Sequence, residues 1–346
     1  MLAKHLAPLL PLVLSISPAL CQEMPAPAPE LKKLAALAGN WAGQGTATFA
    51  PGAPPSAWHA SGSYRWVLDG FFLQEDFEIH FDGVPAPMLF RAYLGWDAEG
   101  KRYVTAVCNN AGEVGLHEIV IQPDGSMLQL MMQRQDGVPY AERSLLKVDG
   151  DTMTHSIDLM TGKGPSMAVV EGKFRRIDTA FEGRFDAPTW NGATPHADIT
   201  RLCRMAGKYD TKGEMVMAPG QPKTAIHGDD TFRTVFGGTL LFGETVGGAD
   251  GMPGEYRSHA FWGYDQKKGC ARAVFVSNMG EVGEMEGRWV DDKFVSTMAG
   301  TMMGQPMVQR FLLEVDGEGA VTRGVGHTIV GTMPPFESFV ATYAKK

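Results

Sequence analysis

The chain has 346 residues, 44% of them hydrophobic and 20% charged, with a formal net charge of −8. That length accommodates two domains that each bury a core. The acidic balance and the lack of a basic run exclude nucleic acid and anionic membrane as main partners.

Met1-Leu-Ala-Lys4-His5 is a short basic start, followed by an apolar run from Leu6 to Leu20 and the small-residue pattern around Ala19 and Cys21. This pattern predicts a cleaved secretory signal over residues 1–21, too short for a bilayer span, and hence a secreted or periplasmic protein without a transmembrane segment. Acylation at Cys21 is the alternative. Residues 22–29 form a Pro/Ala tether. Without Cys21 three thiols remain, Cys108, Cys203 and Cys270, an odd number that forbids full internal pairing. Cys203 with Cys270 is one option for a bridge, and three buried thiols is the other.

Leu31, Leu34 and Leu37 lie at i, i+3 and i+6, one helical stripe closed by Gly39, and Ile199 to Met205 closed by Gly207 repeats it. After each helix the chain matches itself 168 positions on (263 − 95), with Gly95 and Asp97 answered by Gly263 and Asp265. The same offset links Trp41 with Tyr209, His59 with His227, Arg65 with Arg233 and Glu118 with Glu286; near the end Arg143 matches Arg310. Within each copy, short alternating or apolar runs alternate with turn signals. Tyr64–Leu68 and Phe71–Ile79 are joined by Asp69-Gly70, and Tyr103–Cys108, Leu116–Ile121, Met127–Gln133, Ser144–Val148, Thr152–Leu159 and Met167–Phe174 follow. Some eight antiparallel strands per copy give an all-β chain of two tandem barrels or sandwiches. The division runs 30–177 for the first repeat, 178–198 for a linker and 199–346 for the second. Phe181 and Trp190 suggest a linker packed on a barrel.

The run Leu-x-Gly-x-Trp-x-Gly-x-Gly from Leu37, the Gly-Phe-Phe-Leu-x-Glu hairpin at 70–75, whose acid the second copy replaces by Gly243, and Gly-Trp-Asp at 95–97 resemble family 1579 of the domains of unknown function. The broader pattern of short helix, Gly-x-Trp and antiparallel strands resembles the calycin superfamily. The resemblance implies two tandem lipocalin-like antiparallel β-barrels, each opened by a short N-terminal helix, with Trp41 and Tyr209 packed across the closed ends. Gly39 and Gly207, with Gly95, Asp97, Gly263 and Asp265, are the structural positions. It supplies no catalytic residues.

No phosphate loop, dinucleotide fingerprint or nucleophile elbow occurs. Arg65, Arg143, Arg233 and Arg310 sit inside apolar strands. Each is either a lumen carboxylate binder or an outward side chain with its stem on aromatic surface. His59 and His227 are mouth donors or loop histidines, and Glu118 and Glu286 are lumen anchors or solvated hairpin acids. Asp97 and Asp265 are expected to bond their own turns. Met298 with Met302 and Met303 with Met307 are spaced about 13 Å apart along a strand, too far for one ion and suited to lining a cavity. His155 and His327 are the late-strand histidines that a haem barrel would need, but they do not match between copies. No cofactor and no metal are expected. The sequence reads as a non-catalytic binder of a small apolar or amphipathic molecule, its protein partner unknown. An isomerase- or hydrolase-like enzyme using lumen Arg, Glu and His, or an envelope structural or interaction module, are the alternatives.

Overall fold

A computed structural model describes residues 24–50, 52–135, 138–161, 166–302 and 304–346. The expected signal segment, Cys21 and Met303 lie outside the described residues. The chain divides into two compact units, residues 28–109 with 116–185, and residues 186–346 with 110–115.

The first unit opens on a 3-10 helix, Pro29–Leu37, whose Leu31, Leu34 and Leu37 are buried. Their spacing of three is the period at which 3-10 side chains eclipse, so the apolar stripe fits this tighter helix better than an α-helix. Ten strands follow: β1 (Gly39–Ala47), β2 (Ser56–Val67), β3 (Phe72–Phe81), β4 (Met88–Asp97), β5 (Arg102–Asn109), β6 (Val114–Ile121), β7 (Met127–Gln135), β8 (Val138–Asp149), β9 (Thr152–Thr161) and β10 (Met167–Ile177). Each neighbours the next, and β1 pairs with both β2 and β10, closing an up-and-down antiparallel barrel.

The second unit repeats the plan with α1 (Ala197–Cys203), β11 (Gly207–Met215), β12 (Thr224–Val235), β13 (Leu240–Ala249), β14 (Tyr256–Asp265) and β15 (Cys270–Ser277). It continues with β16 (Val282–Val290), β17 (Lys293–Met302), β18 (Gln305–Val315), β19 (Val321–Val330) and β20 (Phe336–Lys345), and β11 pairs with β12 and β20. Two closed ten-strand barrels thus replace the eight-strand expectation. The strands missed are β1 and β4. In β1, Gly43 and Gly45 sit beneath the rings of Phe174 and Trp58, where a Cβ would overlap them, so the strand shows no apolar alternation. In β4 both faces are largely buried, which erases the period-2 signal.

The closed ends follow the expected design. Trp41 is fully buried, its indole Nε1 donates to the Leu37 carbonyl at 2.8 Å, and the Arg176 guanidinium covers its ring at 4.4 Å. Tyr209 donates to the Met205 carbonyl at 2.8 Å in the same position of the second barrel. Gly39 holds φ +133° and a side chain there would strike Arg176. Asp69-Gly70 takes the two positive φ values (56° and 87°) that its hairpin needs. Asp97 accepts from the amides of Glu99 and Gly100, and Asp265 from those of Lys267 and Lys268, as turn-forming aspartates do.

Residues 178–185 form a strap on the outer face of β2–β4. Asn40 Oδ1 accepts from the Phe181 amide at 3.2 Å, and Ser63 Oγ donates to the Phe181 carbonyl at 3.3 Å. Arg184 pairs with Glu78 at 2.8 Å, and Phe185 lies 3.8 Å beneath the Arg91 guanidinium. Below the strap, buried Asp76 takes Arg91 Nε at 2.5 Å, Gln74 Nε2 at 2.6 Å and Arg65 at 3.2 Å. Such a buried pair holds only while both partners remain. Cys108, Cys203 and Cys270 are free thiols, the first and last buried. Among the described residues no helix is long and apolar enough to cross a membrane.

Candidate functional site in the first barrel

Side chains alternate across each strand, so the cross-strand registers decide which residues face the lumen. Trp41, Trp58, Tyr64 and Phe77 belong to the first barrel's core, which places the alternate residues of β2 and β3 outside. All eight residues singled out as ligand candidates fall on outer faces. Arg65 pairs with Asp76 beneath the strap, Arg143 with Asp158 at 2.9 Å, and Arg233 with Glu244 while covering Phe242 at 5.0 Å. Arg310 reaches His327 Nδ1 at 3.5 Å, Glu118 meets Arg102 and Glu286 meets Lys268. His59 stacks on His80 at 4.8 Å, and His59 and His227 are both exposed. Each of these guanidinium groups meets a cross-strand acid or histidine on the solvent side, which costs far less than a lumen placement.

The interior polar groups are others. Tyr64 on β2 donates its hydroxyl to Glu75 Oε1 on β3 at 2.7 Å, both facing inward. Burial pushes the Glu75 carboxyl up to about 7, against the opposing pull of the Tyr64 hydrogen bond. Ser144 on β8 and His155 on β9 meet at 2.9 Å, Oγ to Nε2, and burial pulls the imidazole down to about 4. Gln129, cross-strand to Ser144, completes this rim. Around them stand Ile79, Phe90, Val107, Ile121, Met127 and Leu146, all half-buried although the wall is closed. Glu75 and His155 are half-buried as well. Side chains enclosed by a complete sheet that still keep accessible surface line an open interior. Trp58, 4% exposed, lies flat over Gly45 and Gly172, and its Nε1 has no partner among the described residues. Serine and histidine at this distance resemble a nucleophile with its base, but no carboxylate orients the imidazole among the described hydrogen bonds.

The second barrel answers each of these positions differently. Cross-strand registers align Val107 with Phe275, Met127 with Phe294, Ser144 with Phe311, Val170 with Phe339 and His155 with Gly324. All four phenylalanines are buried, and Phe311, Phe339 and Tyr343 pack where side chains on Gly324 and Gly326 would stand. Met285, Met298, Met302 and Met307 fill the remainder, each 7% exposed or less. The methionines therefore belong to packed core and line no open space. Two acids stay buried here, and one of them, Glu281, accepts from Tyr256 at 3.3 Å and from Ser277 at 2.8 Å. Asp230 accepts from Thr211 and from Thr245 (2.5 Å), and burial raises it to about 6. Asp230 aligns with Gly62, one layer away from the place of Glu75, which Gly243 occupies.

Sequence reasoning gave Glu75 no ligand role, its copy being Gly243, and set His155 aside as a haem ligand because it has no matching histidine, its copy being Gly324. Matching between copies finds shared packing, whereas the open interior lies where the copies differ. Both strands carry polar residues at both parities, so the sequence held no signal that singled these two out.

A family model described as "Protein of unknown function (DUF1579)" matches residues 26–176 and 194–310. No curated protein matches. Among solved structures, Rv2717c from M. tuberculosis is similar at 17% identity and TM-score 0.33, covering 44% of this chain and 99% of its own. A DUF3598-family protein of unknown function from Nostoc punctiforme is similar at 10% identity and TM-score 0.27, covering 92% of this chain and 100% of its own. These scores carry no argument beyond the geometry already described.

Proposed function

The chain belongs to the DUF1579 family of proteins of unknown function, and from that footing we propose that its first barrel binds a small apolar or amphipathic molecule without transforming it. The observation that carries this reading is the half-buried interior of a closed barrel whose sister barrel is packed solid at the same positions. A few polar groups within an apolar cavity are what small-molecule sites present. His155 held neutral near pH 7 and the Tyr64–Glu75 pair supply hydrogen bonding with little fixed charge. On this reading one molecule binds per chain, because four phenylalanines occupy the second lumen.

Native mass spectrometry of protein purified from its own source tests the proposal by looking for a retained small molecule. Titration with an apolar fluorescent dye complements it. Ser144→Phe with Val170→Phe, which copies the second barrel's filling, should abolish dye binding without unfolding the barrel. Dye binding that survives this filling would place the ligand elsewhere and sink the reading.

A further inference from the structure

We propose that the ligand of the first barrel is an amphipathic amine, its ammonium seated against Glu75 and its apolar tail among Ile79, Phe90, Val107 and Met127. This rests on the preceding reading of the lumen as a binding site and names the chemistry that fits it.

The inference comes from the charge inventory of the interior. Among the described side chains of the unit, every Lys and Arg lies outside the lumen. Arg65, Arg91, Arg102, Arg143 and Lys147 pair with outer-face or turn acids, and Arg176 covers the closed end. The remaining lysines and arginines with described side chains, on the opening helix, in turns, on the outer face of β10 and in the strap, are exposed. Among the described side chains the interior holds two acids, Glu75 on β3 and Glu142 on β8, and two histidines, His117 on β6 and His155 on β9, but no lysine or arginine. A carboxylate ligand would therefore enter a cavity whose described lining offers it no lysine or arginine and places acids beside it. An alcohol would find hydrogen-bonding partners but leave Glu75 holding its proton. An ammonium supplies the one charge the cavity lacks, and its hydrogen bond to a carboxylate is of the stronger, charge-assisted kind.

The geometry around Glu75 suits this. Its cross-strand neighbours are Tyr64 on β2, which occupies one carboxylate oxygen, and Ala92 on β4, which is apolar and small. Asp76, next to it in sequence, points to the opposite face and is already paired with Arg91. Tyr64 thus orients the carboxylate and leaves Oε2 for a donor from the lumen. At the aligned positions the second barrel has Phe232 and Gly243, and its buried acids are held by protein donors, Asp230 by two threonines and Glu281 by Tyr256 and Ser277.

The test uses the full chain and three probes with one ten-carbon tail: decylamine, decanol and decanoate, measured by calorimetry. Decylamine should bind more tightly than decanol by at least about tenfold at about pH 8, the ratio one charge-assisted hydrogen bond supplies. Decanoate should bind weakest. Decylamine affinity should rise from about pH 6 to about pH 8 as Glu75 loses its proton, while decanol affinity stays level. Glu75→Gln should remove both the amine's advantage and its pH dependence and keep decanol binding, which also shows that the variant is folded. Equal affinity for decanol and decylamine, tight decanoate binding, or an amine advantage that survives Glu75→Gln would each overturn the proposal. If none of the three probes nor an apolar dye enters, the binding reading itself has failed. Dye entry without amine preference fails only the present inference.

Discussion

Tyr64 and Glu75 face each other across β2 and β3 with a 2.7 Å hydrogen bond, and in the second barrel the same pair of positions is Phe232 opposite Gly243. One layer along, Gly62 lies beneath the Phe77 ring in the first barrel, while Asp230 bonds Thr245 in the second. At this pair of layers the first barrel places its acid opposite Tyr64 and the second places its acid one layer along, opposite Thr245.

The raised acids give stability a pH dependence with a definite sign. Glu75 rises from 4.5 to about 7 and Asp230 from 3.8 to about 6, so the folded chain holds protons that the unfolded chain releases. Their contribution is complete below the unfolded values and is lost as pH rises through the folded ones. Glu75→Gln should flatten the decline between about pH 4.5 and about pH 7, a window worth up to about 3 kcal/mol at 1.36 kcal/mol per unit. Urea denaturation of the wild type and variant across that range measures it, and parallel slopes would refute it.

His155 acts in the opposite direction. Its folded value is depressed from 6.5 to about 4, so the stability it contributes is present above 6.5 and is lost as pH falls through about 4. His155→Gln should reduce acid sensitivity in that window. Direct NMR titration of the imidazole should find it neutral at pH 6.

The closed end should behave as a core. Trp41→Ala removes a fully buried indole together with its hydrogen bond to Leu37 and its cover by Arg176. The cost should be about 3–5 kcal/mol, the usual penalty for a large aromatic truncated to alanine. Trp41→Phe should cost less, because most of the plug remains, and chemical denaturation ranks the two.

Asp76 should lock the strap. Asp76→Ala leaves Arg91 against Phe185 without its carboxylate, a change worth about 3–5 kcal/mol when one partner of a buried ion pair is removed. Limited proteolysis should then cut within residues 178–185 faster than in the wild type. An unchanged cleavage rate would mean that Phe181 and Asn40 hold the strap by themselves.

Filling and emptying should be reciprocal between the barrels. Phe311→Ala opens space in a packed interior and should cost about 3–5 kcal/mol. Ser144→Phe at the aligned position enters an open interior and should cost little or stabilise. Thermal melts of the two variants compare the interiors directly.

The sequence by itself determined the architecture. The 168-residue self-match, the Gly-stopped helices before Trp41 and Tyr209, and the Asp-Gly and Gly-x-Asp turns are local signals, each enforced by backbone sterics or by a period the strand imposes. Sequence could not decide which face of a strand with polar residues at both parities looks inward. Arg65 and Glu75 show why: both interrupt apolar runs, and only closing β1 onto β10 and setting the cross-strand register sends Arg65 out to Asp76 and Glu75 in to Tyr64. Whether a lumen is hollow is likewise a sum over ten strands. Val107, Met127, Ser144 and Val170 leave space and Phe275, Phe294, Phe311 and Phe339 close it, because packing density belongs to the assembled barrel and to none of its strands alone.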